Sequence, residues 1–206
     1  MGISHITDLK GIDHILFITV LCIRYTFQDW KKILVLVTAF TIGHSITLIL
    51  STLQIIQFPT ALTEFFIALT ILITALSNCY VKDFYFKKKY PVIYFFALFF
   101  GLIHGLGFST LLKNMLGTDQ NIAWQLLSFN LGIEAGQLII VTCILTCTFI
   151  GLNILRFKRR DYMLFISGGI AALSIEMAIQ RFPIILKKDN EKTVHVVCPD
   201  SNVGLT

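Results

Sequence analysis

The chain has 206 residues and a mass of 23.3 kDa, with 55% hydrophobic residues, 13% aromatic residues, only 14% charged residues and a mean hydropathy of +0.77. A soluble globular chain carries about 25% charge, so this composition excludes a soluble domain, a disordered chain and a disulfide scaffold. The net charge of +5 does not indicate a nucleic-acid partner, because the 17 Lys and Arg fall in short clusters between apolar runs, as membrane topology places them.

The apolar runs have the length of about 20 residues that crosses a bilayer core of roughly 30 Å. They predict an all-α, polytopic membrane protein with six spans, at 12–27, 33–53, 59–80, 91–112, 122–150 and 162–182. Each should be helical, since lipid leaves a backbone no outside hydrogen-bond partners. The Gln57-Phe58-Pro59 turn separates the second and third spans, Tyr90-Pro91 opens the fourth, and Phe182-Pro183 closes the sixth. Residues 1–186 then form one transmembrane domain, and 187–206 read as a polar, disordered tail. The opening residues do not have the pattern of a cleavable signal. The loops after spans one, three and five carry eleven basic residues, among them Arg24, Lys32, Lys87, Arg156 and Arg159, against six on the other side. The richer side should be cytoplasmic, with both termini outside.

Ionisable side chains inside a membrane are costly and mark function. Span one opens with Asp13-His14; span two holds His44 and Ser45, span three Glu64, span four His104, span five Asn130, Glu134 and Gln137, and span six Glu176. At 1.5 Å per residue, His44, His104, Glu64 and Glu176 lie about 13, 12, 8 and 9 Å below the outer ends of their spans, and Glu134 about 18 Å. Alternate spans run in opposite directions, yet these groups share one half of the bundle. That pattern predicts a single site opening outward. Asn130, Glu134 and Gln137 share one helix face by spacing. His104 lies in Gly101-Leu102-Ile103-His104-Gly105-Leu106-Gly107, where small residues let helices approach closely. Imidazoles with carboxylates suit a divalent transition metal, imidazole favouring zinc, nickel, copper and iron. The expected ligands are Asp13, His14, His44, Glu64, His104 and Glu134, with Ser45, Asn130, Gln137 and Glu176 orienting them. Cys22, Cys79, Cys143 and Cys147 read as packing residues, and His195 and Cys198 as tail residues.

On the segments Gly11–Phe17, Ala39–Leu48, Gly101–Phe108 and Phe129–Gln137, the sequence resembles the HupE/UreJ family of bacterial membrane proteins, most of all the branch common in the Bacteroidota. The resemblance spans all six predicted helices and excludes the tail. It implies a multi-pass protein of the bacterial inner membrane, accessory to hydrogenase or urease and regarded as a nickel or cobalt permease. The family's first motif maps onto His5, Asp13 and His14, with a longer interval after His5 than in the nickel permeases. Gly107-Phe108 stands where those permeases carry a second His-Gly. Two further readings remain open at this level. One is an intramembrane zinc hydrolase with Glu134 or Glu64 as general base, although no H-E-x-x-H run is present. The other is a scaffold or metal sensor.

Overall fold

The computed structural model of the chain describes residues 12–56, 58–80, 91–115 and 122–197. Six α-helices follow one another among these residues: α1 (Ile12–Cys22), α2 (Trp30–Thr52), α3 (Thr60–Tyr80), α4 (Pro91–Met115), α5 (Ile122–Phe149) and α6 (Arg159–Val197). A 3-10 turn at Phe27–Asp29 leads into α2, and a π turn at Ile150–Ile154 ends α5. No strand occurs among the described residues.

Four stretches are long and apolar enough to cross a membrane: Phe27–Thr52, Thr60–Tyr80, Leu126–Ile154 and Arg159–Phe182. The apolar stretches Ile12–Cys22 and Tyr94–Gly107 are shorter. The 11 residues of α1 extend only about 16 Å at 1.5 Å per residue. This helix is enclosed: no residue from Asp13 to Cys22 is exposed, and it packs against α3, α5 and α6. Its Phe17 ring also meets Phe40 of α2 and Phe100 of α4 at centroid distances of 5.1 and 5.6 Å. A helix surrounded by others is apolar on all sides, which IDHILFITVLC satisfies beyond the Asp13-His14 pair in its first turn.

The closest helix pair is α2 with α4, and glycine makes it possible. A Cβ at Gly43 would collide with the Leu98 carbonyl oxygen, and one at Gly101 with the Phe40 carbonyl oxygen. At Gly105 it would strike the Thr47 hydroxyl and the His44 carbonyl. Gly101 and Gly105 are four apart, the small-xxx-small spacing of close membrane helix pairs. At the other end of the bundle, the buried Asn78 amide on α3 donates to the Val20 carbonyl of α1 at 2.7 Å and lies 3.4 Å from the Ser167 hydroxyl of α6. The Arg159 guanidinium donates to the Arg24 carbonyl at 2.8 Å, so the basic segments after α1 and α5 lie side by side. Asp29 accepts from Lys32 at 2.6 Å.

Several expected boundaries shift. The first helix ends at Cys22 rather than 27, because the chain turns there, and α2 starts at Trp30 rather than 33. Proline 183 does not close the last helix, and the expected disordered tail from 187 is helical as far as Val197. A proline in a membrane helix removes one backbone donor without ending the helix, and the Lys- and Glu-containing run after it favours helix. Of the cysteines, Cys22 is buried and Cys79 half-buried, as packing residues should be, whereas Cys143 and Cys147 are exposed on α5. Phe100 is buried, while Phe95, Phe96 and Phe99 are exposed, the position expected of lipid-facing rings. His5, the basic loop 82–90 and Cys198 lie outside the described residues.

Two substitutions test the crossing. Gly101→Ala presses a methyl group into backbone and should lower stability in detergent by about 1–3 kcal/mol or more, as overpacking does. Gly168→Ala, with nothing within 4 Å of the added Cβ, should stay within about 0.5 kcal/mol of wild type. Thermal unfolding followed by tryptophan fluorescence reads both, and equal loss in the two variants would contradict the packing.

Candidate functional site

The α2–α4 crossing sets His44 beside His104, and the start of α1 adds His14. The His14 ring centroid lies 5.9 Å from that of His44 and 5.2 Å from that of His104. All three are buried, His44 and His104 completely. Phe17 and Phe40 close round the cluster, each within 5.2 Å of the His104 ring. Three imidazoles from three helices thus share one aromatic-walled pocket.

His104 has the most informative geometry. Its Nδ1 lies 2.9 Å from the Phe100 carbonyl oxygen. A carbonyl only accepts, so in the neutral ring Nδ1 carries the proton and Nε2 keeps its lone pair. Nε2 is buried and has no hydrogen-bond partner among the described residues. Metal-binding histidines are commonly held this way, one ring nitrogen donating to a carbonyl and the other left as ligand.

The predicted acidic ligands do not join the imidazoles. Arg181 of α6 takes two of them. Its guanidinium lies 3.1 Å from the Asp13 carboxylate and 3.8 Å from that of Glu64, and it donates to the Glu64 carbonyl at 2.8 Å. Asp13 and His14 are adjacent, so this ion cluster sits immediately beside the imidazoles. One Asp13 oxygen, Oδ1, is buried without a partner among the described residues.

Glu134 and Gln137 instead form a seam between α5 and α2. The Thr38 hydroxyl donates to the Glu134 carboxylate at 3.1 Å. The Thr41 hydroxyl lies 2.8 Å from the Gln137 side-chain oxygen and 3.0 Å from the Val37 carbonyl. The Gln137 amide nitrogen is buried and lacks a partner among the described residues, and so does the Asn130 oxygen. Ser45 bonds the Thr41 carbonyl of its own helix. Glu176 is exposed and accepts from Gln180 at 3.1 Å, so it stands apart from the other groups. No group of three His, Cys, Asp or Glu side chains arranged to hold one metal ion occurs among the described residues.

The structure therefore divides the expected ligand set into an imidazole cluster, a carboxylate pair held by Arg181, and a threonine-supported seam. Arg181 and Thr38 are additions that the sequence pattern passed over. Arg181 lies inside the predicted sixth span, a signal that it is an intramembrane charge and not a loop cation.

The sequence model of the family described as HupE / UreJ protein matches residues 1–181. The chain belongs to the HupE/UreJ family. Its matched region ends at Arg181 and contains all three grouped histidines. No curated protein and no solved structure matches the chain.

Removing Arg181 leaves the partly buried Asp13 carboxylate without its counter-ion. Arg181→Gln should destabilise the purified protein by about 1–3 kcal/mol, between the values for an exposed and a fully buried pair. Asp13→Asn in the same chain should restore part of that loss, with a coupling of about 0.5–3 kcal/mol in a thermal-unfolding double-mutant cycle. Strictly additive losses would mean the pair does not act as one unit.

Proposed function

We propose that this HupE/UreJ protein is a permease or metal-handling accessory protein for a divalent transition metal, nickel or cobalt foremost and zinc as the remaining candidate. It would act as a six-span protein of the bacterial inner membrane with both termini outside. The observation that carries this reading is the His104 ring, fixed by the Phe100 carbonyl with a bare, buried Nε2 beside two further imidazoles. Imidazole nitrogens suit these metals better than calcium or magnesium, which take oxygen ligands.

The metal is the cargo in this reading. It would approach past Asp13 and Glu64, where the carboxylates favour a cation and Arg181 pairs with them in the cation's absence. It would next bind among His14, His44 and His104. The seam of Thr38, Thr41, Glu134 and Gln137 would carry it onward, since Thr41 and Thr38 lie about one and two turns from His44 along α2, away from the α2 C-terminus. A polar cluster at the junction of several helices is the arrangement expected of a transporter site. Displacement of the guanidinium couples metal arrival to a change in how α6 is held against α1 and α3.

Proteoliposomes loaded with a metal-sensitive dye test the reading. His44→Ala and His104→Ala should each abolish nickel or cobalt accumulation, while His195→Ala leaves it at the wild-type level. Unchanged uptake in either of the first two variants would remove that histidine from the path.

A further inference from the structure

The last helix sorts its polar residues onto two faces. Arg181 points inward, to Asp13 of α1 and Glu64 of α3. Glu176 and Gln180 do the opposite: both are exposed, and the Gln180 amide donates to the Glu176 carboxylate at 3.1 Å. They lie within Arg159–Phe182, a stretch long and apolar enough to cross a membrane. At 1.5 Å per residue, Glu176 is about 7.5 Å farther into it than Arg181.

A carboxylate at such a depth almost always faces the bundle interior, a partner or a water-filled cavity, because hydrocarbon offers it no hydrogen bond. The one bond within the pair does not meet this need. The second hydrogen of the Gln180 amide, its carbonyl oxygen and the second Glu176 oxygen have no partner among the described residues. The outer face of α6 therefore presents a free donor beside free acceptors.

The rest of that face is shaped for another helix. Phe165, Gly169, Ala172, Glu176 and Gln180 follow one another at intervals of three or four, so they form a single stripe. Every one of them is exposed, Phe165 to 81%. Met163, Ser167, Ile170, Ala171 and Ser174 are buried on the other side of the helix. A Cβ at Gly169 would meet nothing within 4 Å, so this glycine serves no close approach inside the chain, unlike Gly43, Gly101 and Gly105. Small residues on a membrane helix let a second backbone come near.

Self-complementarity selects the partner. Copies of one chain cross the membrane in the same orientation. A two-fold axis along the membrane normal would therefore set the stripe of one α6 against the same stripe of another, parallel and at equal depth. A face that holds both a donor and an acceptor is satisfied twice across such an axis. We propose that Phe165, Gly169, Ala172, Glu176 and Gln180 form the contact face of a homodimer. Each Gln180 amide donates to the Glu176 carboxylate of the other copy, and Gly169 and Ala172 let the two helices close. Arg181 stays on the inner side, so the dimer contact and the Arg181 cluster share a helix without sharing a surface.

Energy transfer between donor- and acceptor-labelled full-length protein, reconstituted in liposomes over a range of protein-to-lipid ratios, tests the face. Wild type should dimerise, reversibly on dilution with lipid. Gly169→Leu and Ala172→Leu should each abolish transfer. Glu176→Leu should raise the dissociation constant about tenfold, the effect of losing two interhelical hydrogen bonds. Glu176→Gln, which keeps a hydrogen-bonding group in place, should stay within about threefold of wild type. Cys143→Leu, which adds similar bulk on the exposed side of α5, should match wild type. Thermal unfolding in excess detergent, where the chain is monomeric, should be alike in all of them and separates loss of contact from loss of fold. Wild-type transfer no higher than for randomly distributed monomers would overturn the proposal and assign the stripe to lipid or to a different protein. A dimer that Gly169→Leu and Glu176→Leu leave unchanged would overturn it as well.

Discussion

Everything at the imidazole cluster depends on how closely α2 approaches α4. Gly43, Gly101 and Gly105 place backbone against backbone, with the Leu98, Phe40 and His44 carbonyls where side chains would otherwise stand. In lipid the hydrophobic effect does not press helices together, so close packing has to supply the association. His44 directly follows Gly43, and His104 directly precedes Gly105. The residues that allow the crossing therefore also set the two rings, and one contact serves both fold and site. The enclosed α1 completes the arrangement, since only a helix surrounded by the others can present His14 to both.

The ionisable groups in this half of the protein are not left exposed to a low dielectric. Arg181 brings a cation to Asp13 and Glu64, threonine hydroxyls meet Glu134 and Gln137, and a carbonyl fixes His104. These arrangements differ in what they leave available. The Arg181 cluster sets one guanidinium against two carboxylates, so a divalent cation arriving there meets an existing ion pair. His104 retains a nitrogen lone pair with nothing on it. The most accessible ligand chemistry in the pocket is therefore nitrogen, which separates the proposed cargo from the hard cations that pass through carboxylate rings.

The helical elements were legible because lipid imposes helix on any long apolar run, and the run lengths are visible in the sequence. The imidazole convergence was legible from depth: His44 and His104 lie at matching depths below one face with glycines flanking both, and His14 opens the first span on the same side. The partners of the carboxylates were not legible. Arg181 stands near the end of its span, where a basic residue also reads as a topology signal, and nothing in one sequence pairs it with Asp13 168 positions away. Glu176 has the right depth but turns outward, because depth carries no information about azimuth on a helix whose neighbours are unknown. The continuation of α6 past Pro183 was not legible, because the same residue that ends a soluble helix is tolerated inside a membrane one.

In the proposed function His104 offers Nε2 to the metal while Nδ1 remains bonded to the Phe100 carbonyl. X-ray absorption of the nickel- or cobalt-loaded protein in detergent reads that bond. Imidazole scattering from two or three nitrogen ligands is expected, reduced by one ring in His104→Ala. A first shell of oxygen alone, identical in wild type and that variant, would contradict it.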